Sequence, residues 1–251
     1  MTITTGDTMI LDIYKDSLEY AAKDWKSLIK LGAFFLFSFL IIPAFLAVGY
    51  NYRVINIAVN GVLNGKDPLP EFDDFIGMFI DGVKVVLVQI AYLIVPVIIF
   101  LIFVAISIYA NSVLSAAIIL IGCLISIIIG IIAFLMEQIG ICHMIYNGGS
   151  LSKAFAISEI KEAIEEIGWF NCIITYVGLI IITAVIASVT SMIIGLIFTA
   201  FGVSGFLLGV NTAGIFILGF MINSLVTLFI IGPYLSIFNF RSSGLLYSMQ
   251  I

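Results

Sequence analysis

The sequence predicts an all-α, polytopic helical membrane protein. Its composition, its long uncharged runs and the amphipathic stretches between them carry that prediction. Hydrophobic residues make up 63 % of the 251 and charged ones 10 %, against about 45–50 % and about 25 % in soluble domains. Isoleucine alone supplies roughly one residue in five, and the mean hydropathy is +1.27. This excludes a soluble enzyme domain, a disordered chain and a nucleic-acid binder. With 10 Lys and Arg and a net charge of −5, no basic stripe exists to neutralise phosphates. The expected partner is the lipid bilayer, with no cofactor.

Three runs lack Asp, Glu, Lys and Arg: Leu31–Tyr52, Val85–Met136 and Ile167–Phe240. A spanning helix needs about 20 mainly apolar residues. The runs do not alternate apolar with polar, so helices are expected rather than a barrel. The second run divides at Tyr109-Ala-Asn-Ser-Val113 into helices near Val85–Tyr109 and Val113–Tyr146, with Pro96 a possible kink in the first. The third divides where Gly202, Gly205, Gly209 and Gly214 cluster with Asn211, into Trp169–Ala200 and Gly205–Phe240. Three shorter helices would also fit it.

The first run carries a conflict. Lys15, Lys23, Lys26 and Lys30 precede it, and Arg53, Lys66 and Lys84 follow it. A single crossing would put these groups on opposite faces, against the positive-inside rule. A short hairpin bent near Pro43 that returns to its own side removes the conflict; a plain fifth spanning helix is the alternative. The basic residues then place 66–81, 150–166 and the C-terminus in the cytoplasm, and Asn111 and the region near Asn211 outside. A multi-pass protein of the cytoplasmic membrane is expected. The first apolar run follows a charged segment and has no small-x-small cleavage site, so it is expected to be retained. Cys123, Cys142 and Cys172 lie in apolar stretches and read as free thiols.

Each run follows an amphipathic stretch. In the first, Ile10, Tyr14, Leu18, Ala21, Trp25 and Leu28 recur at helical spacing. In the second, Pro70 opens a helix carrying Phe72, Phe75, Ile76, Phe79 and Val83 on one face. In the third, Ile157, Ile160, Ile164 and Ile167 form a stripe opposite Glu159, Lys161, Glu162, Glu165 and Glu166. Such helices lie in the interface plane or pack on the membrane helices. Tyr50-Asn51-Tyr52-Arg53 and Phe238-Asn239-Phe240-Arg241 also match in residue class. The pattern predicts one integral membrane domain with possible repeat units 9–64, 65–148 and 149–251.

Gly49-Tyr50-x-x-Arg53, Leu69-Pro70-x-Phe72-Asp73-Asp74-Phe75 and Phe79-x-Asp81-Gly82 resemble the hallmark of the domain-of-unknown-function 4013 family, a prokaryotic and largely archaeal membrane family. The resemblance is densest over residues 28–95. It implies a multi-pass plasma-membrane protein and no particular activity. The isoleucine-rich composition is in keeping with an archaeal source.

Buried charge is the default functional signal in a membrane. Glu137 is the only acid between Asp81 and Glu159, and His143 is the sole histidine. With Arg53 and Arg241 at matching places, a polar site of Arg53, Glu137, His143 and Arg241 is one expectation; structural ion pairs or snorkelling arginines are the other. Asp73, Asp74 and Asp81 read as a solvated helix face rather than a metal site. No metal, phosphate-loop or nucleophile-elbow motif occurs, so no catalytic residues are assigned. A non-enzymatic protein that transports a small solute or lipid is one functional expectation. A structural or interaction protein that organises the bilayer or anchors a partner is the alternative. They differ in whether a cavity reaches Glu137.

Overall fold

The computed structural model describes residues 5–209 and 211–250. It runs α1 (Thr5–Ala21), α2 (Trp25–Leu36), α3 (Ile41–Asn60), α4 (Phe75–Ser107), α5 (Ser112–Tyr146), a short 3-10 turn, α6 (Ile157–Ile167), α7 (Trp169–Leu207), α8 (Ala213–Val226) and α9 (Gly232–Tyr247). A π-helical turn, Thr227–Ile231, joins α8 to α9 without a break. Five stretches are long and apolar enough to cross a membrane: α3, α4, α5, α7 and the continuous rod Ala213–Gln250.

Local chemistry sets the boundaries. The first amphipathic stretch is two helices, because Asp24 caps α2 by accepting from the amides of Lys26 and Ser27. Trp25 therefore opens α2 and points outward instead of continuing the α1 stripe. Pro70 does not open the second helix. Residues 61–74 form a loop, and Asp74, in a left-handed conformation, caps α4 through Gly77. Hence Phe72 sits in the loop, Phe75 and Ile76 are exposed, and the amphipathic segment is the first turns of α4 itself. Only α6 is a separate amphipathic helix of the expected kind. It buries Ile160, Ala163, Ile164 and Ile167, and ends at Gly168, whose φ of +95° no β-carbon favours. The three amphipathic stretches thus take three different forms, and no internal triplication is shown.

The first apolar run does form a hairpin, with its turn at residues 37–40, just ahead of Pro43. Its depth follows from two glycines. A β-carbon on Gly49 would strike the Met78 carbonyl, and one on Gly82 would strike that of Phe45, so α3 and α4 touch backbone to backbone. These contacts set an antiparallel register in which Ile41 is level with residue 86 of α4. The remainder of α4, residues 87–107, rises about 1.5 Å per residue and adds about 30 Å, one bilayer core. The turn at 37–40 stops that far short of the opposite end. The α2–α3 hairpin therefore begins and ends at the same end of the molecule, beside the 61–74 loop.

Two layers result. At the end carrying α1, α6 and the 61–74 loop, here called basal, buried residues come from every long helix: Tyr50 and Val54 of α3, Val85 and Val88 of α4, Ile139 and Cys142 of α5, Thr175 and Tyr176 of α7, Ile237 and Phe238 of α9. Farther out burial almost stops. Gly202 is the one buried described residue of α7 beyond Leu179, and Gly219 the one in α8. The outer halves are two antiparallel hairpins, α4–α5 and α7–α8; the first turns at 108–111, and α7 of the second ends in a turn at Leu208 and Gly209. They are joined through α6 and α9 rather than along their length.

Candidate functional site

The four residues expected to form one polar site are not brought together. Arg53 leaves α3 toward the loop. Its Nη1 donates to the carbonyls of Glu71 and Asp73 (both 3.0 Å) and to the Asp73 carboxylate (2.5 Å). Its Nη2 donates to the Asp74 carbonyl (3.2 Å). Arg53 therefore braces the turn that launches α4, and it does not pair with Glu137. Glu137 accepts from Gln138 Nε2, the neighbouring side chain on its own helix (3.1 Å), and has no described cation partner.

Arg241 is the buried centre of the basal layer. Its side chain is wholly inaccessible, as is nearly all of Asp16. Nε donates to Asp16 Oδ1 (3.0 Å) and Nη2 to Asp67 Oδ2 (3.2 Å), while the guanidinium lies 4.4 Å over the Tyr20 ring. The amide of Asn64 donates to the other Asp16 oxygen (2.6 Å), Tyr20 hydroxyl to the Pro68 carbonyl (2.9 Å), and Lys23 to the Gly65 and Asp67 carbonyls. This cluster ties α1, the 61–70 loop and α9 into one unit. Asp16, Tyr20 and Asp67 escaped sequence reasoning. Asp16 carried a signal: it falls on the apolar face of α1, with Ile13, Ser17 and Tyr20, where an acid needs a cation.

His143 belongs to a different clasp. Its Nε2–H donates to Glu159 (2.8 Å), and the Tyr247 hydroxyl donates to Nδ1 (2.7 Å); the tautomer follows from Glu159 being an acceptor only. Lys153 donates to both Glu159 oxygens. The Lys153 ammonium, and then His143, hold the Glu159 carboxyl below the usual carboxylate range. The clasp fixes α6 against α5 and α9.

The motif residues build one corner. Gly49 and Gly82 allow α3 and α4 to touch. Tyr50, fully buried, stacks on Phe72 at 4.4 Å; Phe79 meets Phe45 edge-on at 5.3 Å. Leu69 and Pro70 are buried beneath the loop, Arg53 braces it, Asp74 caps α4, and Asp81 lies 3.5 Å from Lys84. The matched string around Arg241 serves otherwise: Asn239 exchanges hydrogen bonds with Thr183 of α7, whereas Asn51 donates to Ser236.

The space with chemical character lies between the hairpins. One cavity, of about 440 Å³, is bounded by α5, α7 and α9 and carries Gln138, Tyr176, Thr183, Asn239 and Ser243 among apolar side chains. A second, of about 580 Å³, shares Phe134, Tyr176 and Ile180 and is otherwise lined by Ile127, Gly130, Ile131, Leu135, Ile173 and Val177. Phe134 and Tyr176, edge to face at 5.5 Å, form the common wall. The Glu137 carboxylate lines neither cavity, which counts against the transport expectation, although Gln138, which holds it, lines the first. Among the described residues no cluster of His, Cys, Asp and Glu has the form of a metal site.

No curated protein and no solved structure matches the chain. A family described as protein of unknown function (DUF4013) matches residues 36–199, which include the turn between α2 and α3 and the α5 and α7 lining of the groove but not its α9 lining. The α3–α4 corner lies wholly inside that match, and the chain belongs to the DUF4013 family.

Proposed function

We propose that this protein is a non-enzymatic binder of a lipid-like amphiphile, which enters sideways from the bilayer into the groove between the α4–α5 and α7–α8 hairpins. The observation that carries this reading is the groove itself: apolar along Ile127–Ile131 and Ile173–Ile180, with neutral polar groups at Gln138, Asn239 and Ser243. Ligand sites of this kind are concave, mostly apolar and carry a few polar groups that orient the ligand. Coupled transport of a charged solute has less support. Arg53, His143 and Arg241 are each committed to a structural partner, and Glu137 lines neither cavity. The distribution of Lys and Arg favours a cytoplasmic basal end.

Lipids extracted from the purified protein and identified by mass spectrometry test the reading. A Gly130→Trp variant places a bulky ring at a lining position of the groove, where a β-carbon makes an ordinary contact with Pro96 of α4 at 3.8 Å. The wild type should carry a stoichiometric lipid and the variant should lose it. Equal lipid content in both would defeat the proposal. An interaction role draws instead on the exposed acidic face of α6, Glu162, Glu165 and Glu166; reversing those charges should then abolish a crosslink to a partner and leave bound lipid unchanged.

A further inference from the structure

The cations of this chain are unevenly committed. Arg53, Lys84, Lys153, Lys161 and Arg241 each make an ion pair. Lys15, Lys23, Lys26, Lys30 and Lys66 make none among the described residues, and all of them lie on α1, on α2, in the turn between them or in the 61–74 loop. Lys23 and Lys30 line one cavity of about 560 Å³, between the α1–α2 turn and residues 68–73. Three carboxylates share that cavity, and two are committed. Asp24 caps α2 and accepts from the Ser27 hydroxyl (2.6 Å), and Asp73 holds Arg53. Glu71 makes no ion pair among the described residues. Lys23 donates to neutral carbonyls, those of Gly65 and Asp67, and Lys30 lies 5.4 Å over the Phe72 ring. Two ammonium groups thus face one unpaired carboxylate.

This cavity lies where the chain passes from water to hydrocarbon. Beside it, Trp25 is 61 % exposed on the outward face of α2, next to Ile29. Past Lys30 the helix turns apolar, and the hairpin exposes Phe37, Phe39, Leu40 and Ile41. Apolar surface of that kind belongs in lipid, while tryptophan and lysine side chains sit at the headgroup level. A basic side chain near an anionic bilayer surface adds attraction. The charge balance of the cavity suits one negative charge, as a phosphate diester carries. We propose that this cavity is a headgroup site for an anionic phospholipid, its phosphate held between Lys23 and Lys30. The site stands apart from the groove between the hairpins and does not rest on it.

The tryptophans of the chain are Trp25 and Trp169, so Trp169→Phe leaves Trp25 as a reporter beside the cavity. The full chain with that change is reconstituted in phosphatidylcholine vesicles holding a minor share of phosphatidylglycerol. Either lipid carries brominated acyl chains, which quench tryptophan on contact. Phosphatidylglycerol should quench Trp25 about fivefold more than its share of the bilayer predicts, the factor of about one basic side chain at a membrane surface. Lys23→Gln with Lys30→Gln should bring quenching down to that share, and Lys23→Arg with Lys30→Arg, which keeps both charges, should retain the preference. Lys26→Gln, at a position that does not line the cavity, should also retain most of it. Quenching in simple proportion to the lipid mixture overturns the proposal. So does a loss in Lys26→Gln equal to that of the double glutamine variant, which would mean a diffuse basic surface. Reversal by millimolar glycerol phosphate would assign the phosphate to a soluble ligand and overturn the lipid assignment.

Discussion

At the basal end Arg241 is wholly buried between two aspartates and a tyrosine ring. At the far ends of the two hairpins Tyr109 is 93 % and Leu208 81 % exposed. The same chain packs like a water-soluble core at one end and as two separate pairs of helices at the other. The bilayer explains the contrast. Against lipid tails, helix association has no hydrophobic driving force and depends on close packing and hydrogen bonds. The basal layer stands next to water, where covering Ile13, Val54, Ile139 and Ile160 is favourable. A protein that needs a cleft within the membrane can therefore hold its helices at one end and leave them apart at the other.

The contrast is broken most severely at Arg241. Arg241→Met leaves Asp16 buried without its cation, and removal of one partner from such a pair costs about 3–5 kcal/mol. Thermal unfolding in detergent should show a large loss, part of it restored when Asp16→Asn is added. Arg53→Gln and Glu137→Gln, which do not touch, should be additive in the same assay. A silent Arg241→Met would mean that the basal layer is not the anchor.

A smaller effect is expected at the α3–α4 corner. Gly49→Ala drives a methyl into the Met78 carbonyl, and overpacking of this kind costs about 1–3 kcal/mol. Stability should drop accordingly, with little change in exchange rates at the hairpin tips. An unchanged melting temperature would contradict the backbone contact that sets the α3–α4 register.

The α6 clasp sharpens the comparison by pH. Glu159 has a folded-state pKa below its unfolded one. Its contribution is therefore present above the unfolded value, about 4.3, and is lost as pH falls through the folded value. Hydrogen exchange of residues 157–167, corrected for intrinsic rate, should quicken relative to α4 and α5 between pH 7 and pH 3. Glu159→Gln should flatten that dependence.

The mildest prediction concerns the outer layer. Gly195 faces open space, so Gly195→Ala should change stability by no more than about 0.5 kcal/mol. A large loss would reveal a packed neighbour there, and so an α7–α8 hairpin more closely packed than described.

Much of the architecture was legible because it depends on near neighbours. The uncharged runs delimit α4, α5 and α7 to within about a turn or two at most ends, and the stripe of Ile160, Ile164 and Ile167 marks α6. The basic residues flanking Leu31–Tyr52 point to a hairpin that returns to its own side. Pro70 misled because Asp74, four residues later, supplies the cap that starts the helix. The charged residues misled for a longer-range reason. Arg53 and Arg241 sit in matching strings, yet one reaches a loop about 20 residues on and the other reaches α1, 225 residues back.

The amino-acid order alone dictates that this chain is helical and enters a membrane, since uncharged runs of this length leave no other way to satisfy the backbone in lipid. It also dictates where charge must be accounted for, because each buried ionic group demands a partner. Which partner, and therefore whether Arg53, Glu137, His143 and Arg241 form one site or four separate arrangements, was decided by the fold. So was the groove, whose Tyr176 and Gln138 come from different helices. Hydropathy is a property of each residue in turn, whereas pairing and cavities depend on the register and depth at which distant helices meet. Here backbone contacts at Gly49 and Gly82 and one buried arginine set that register.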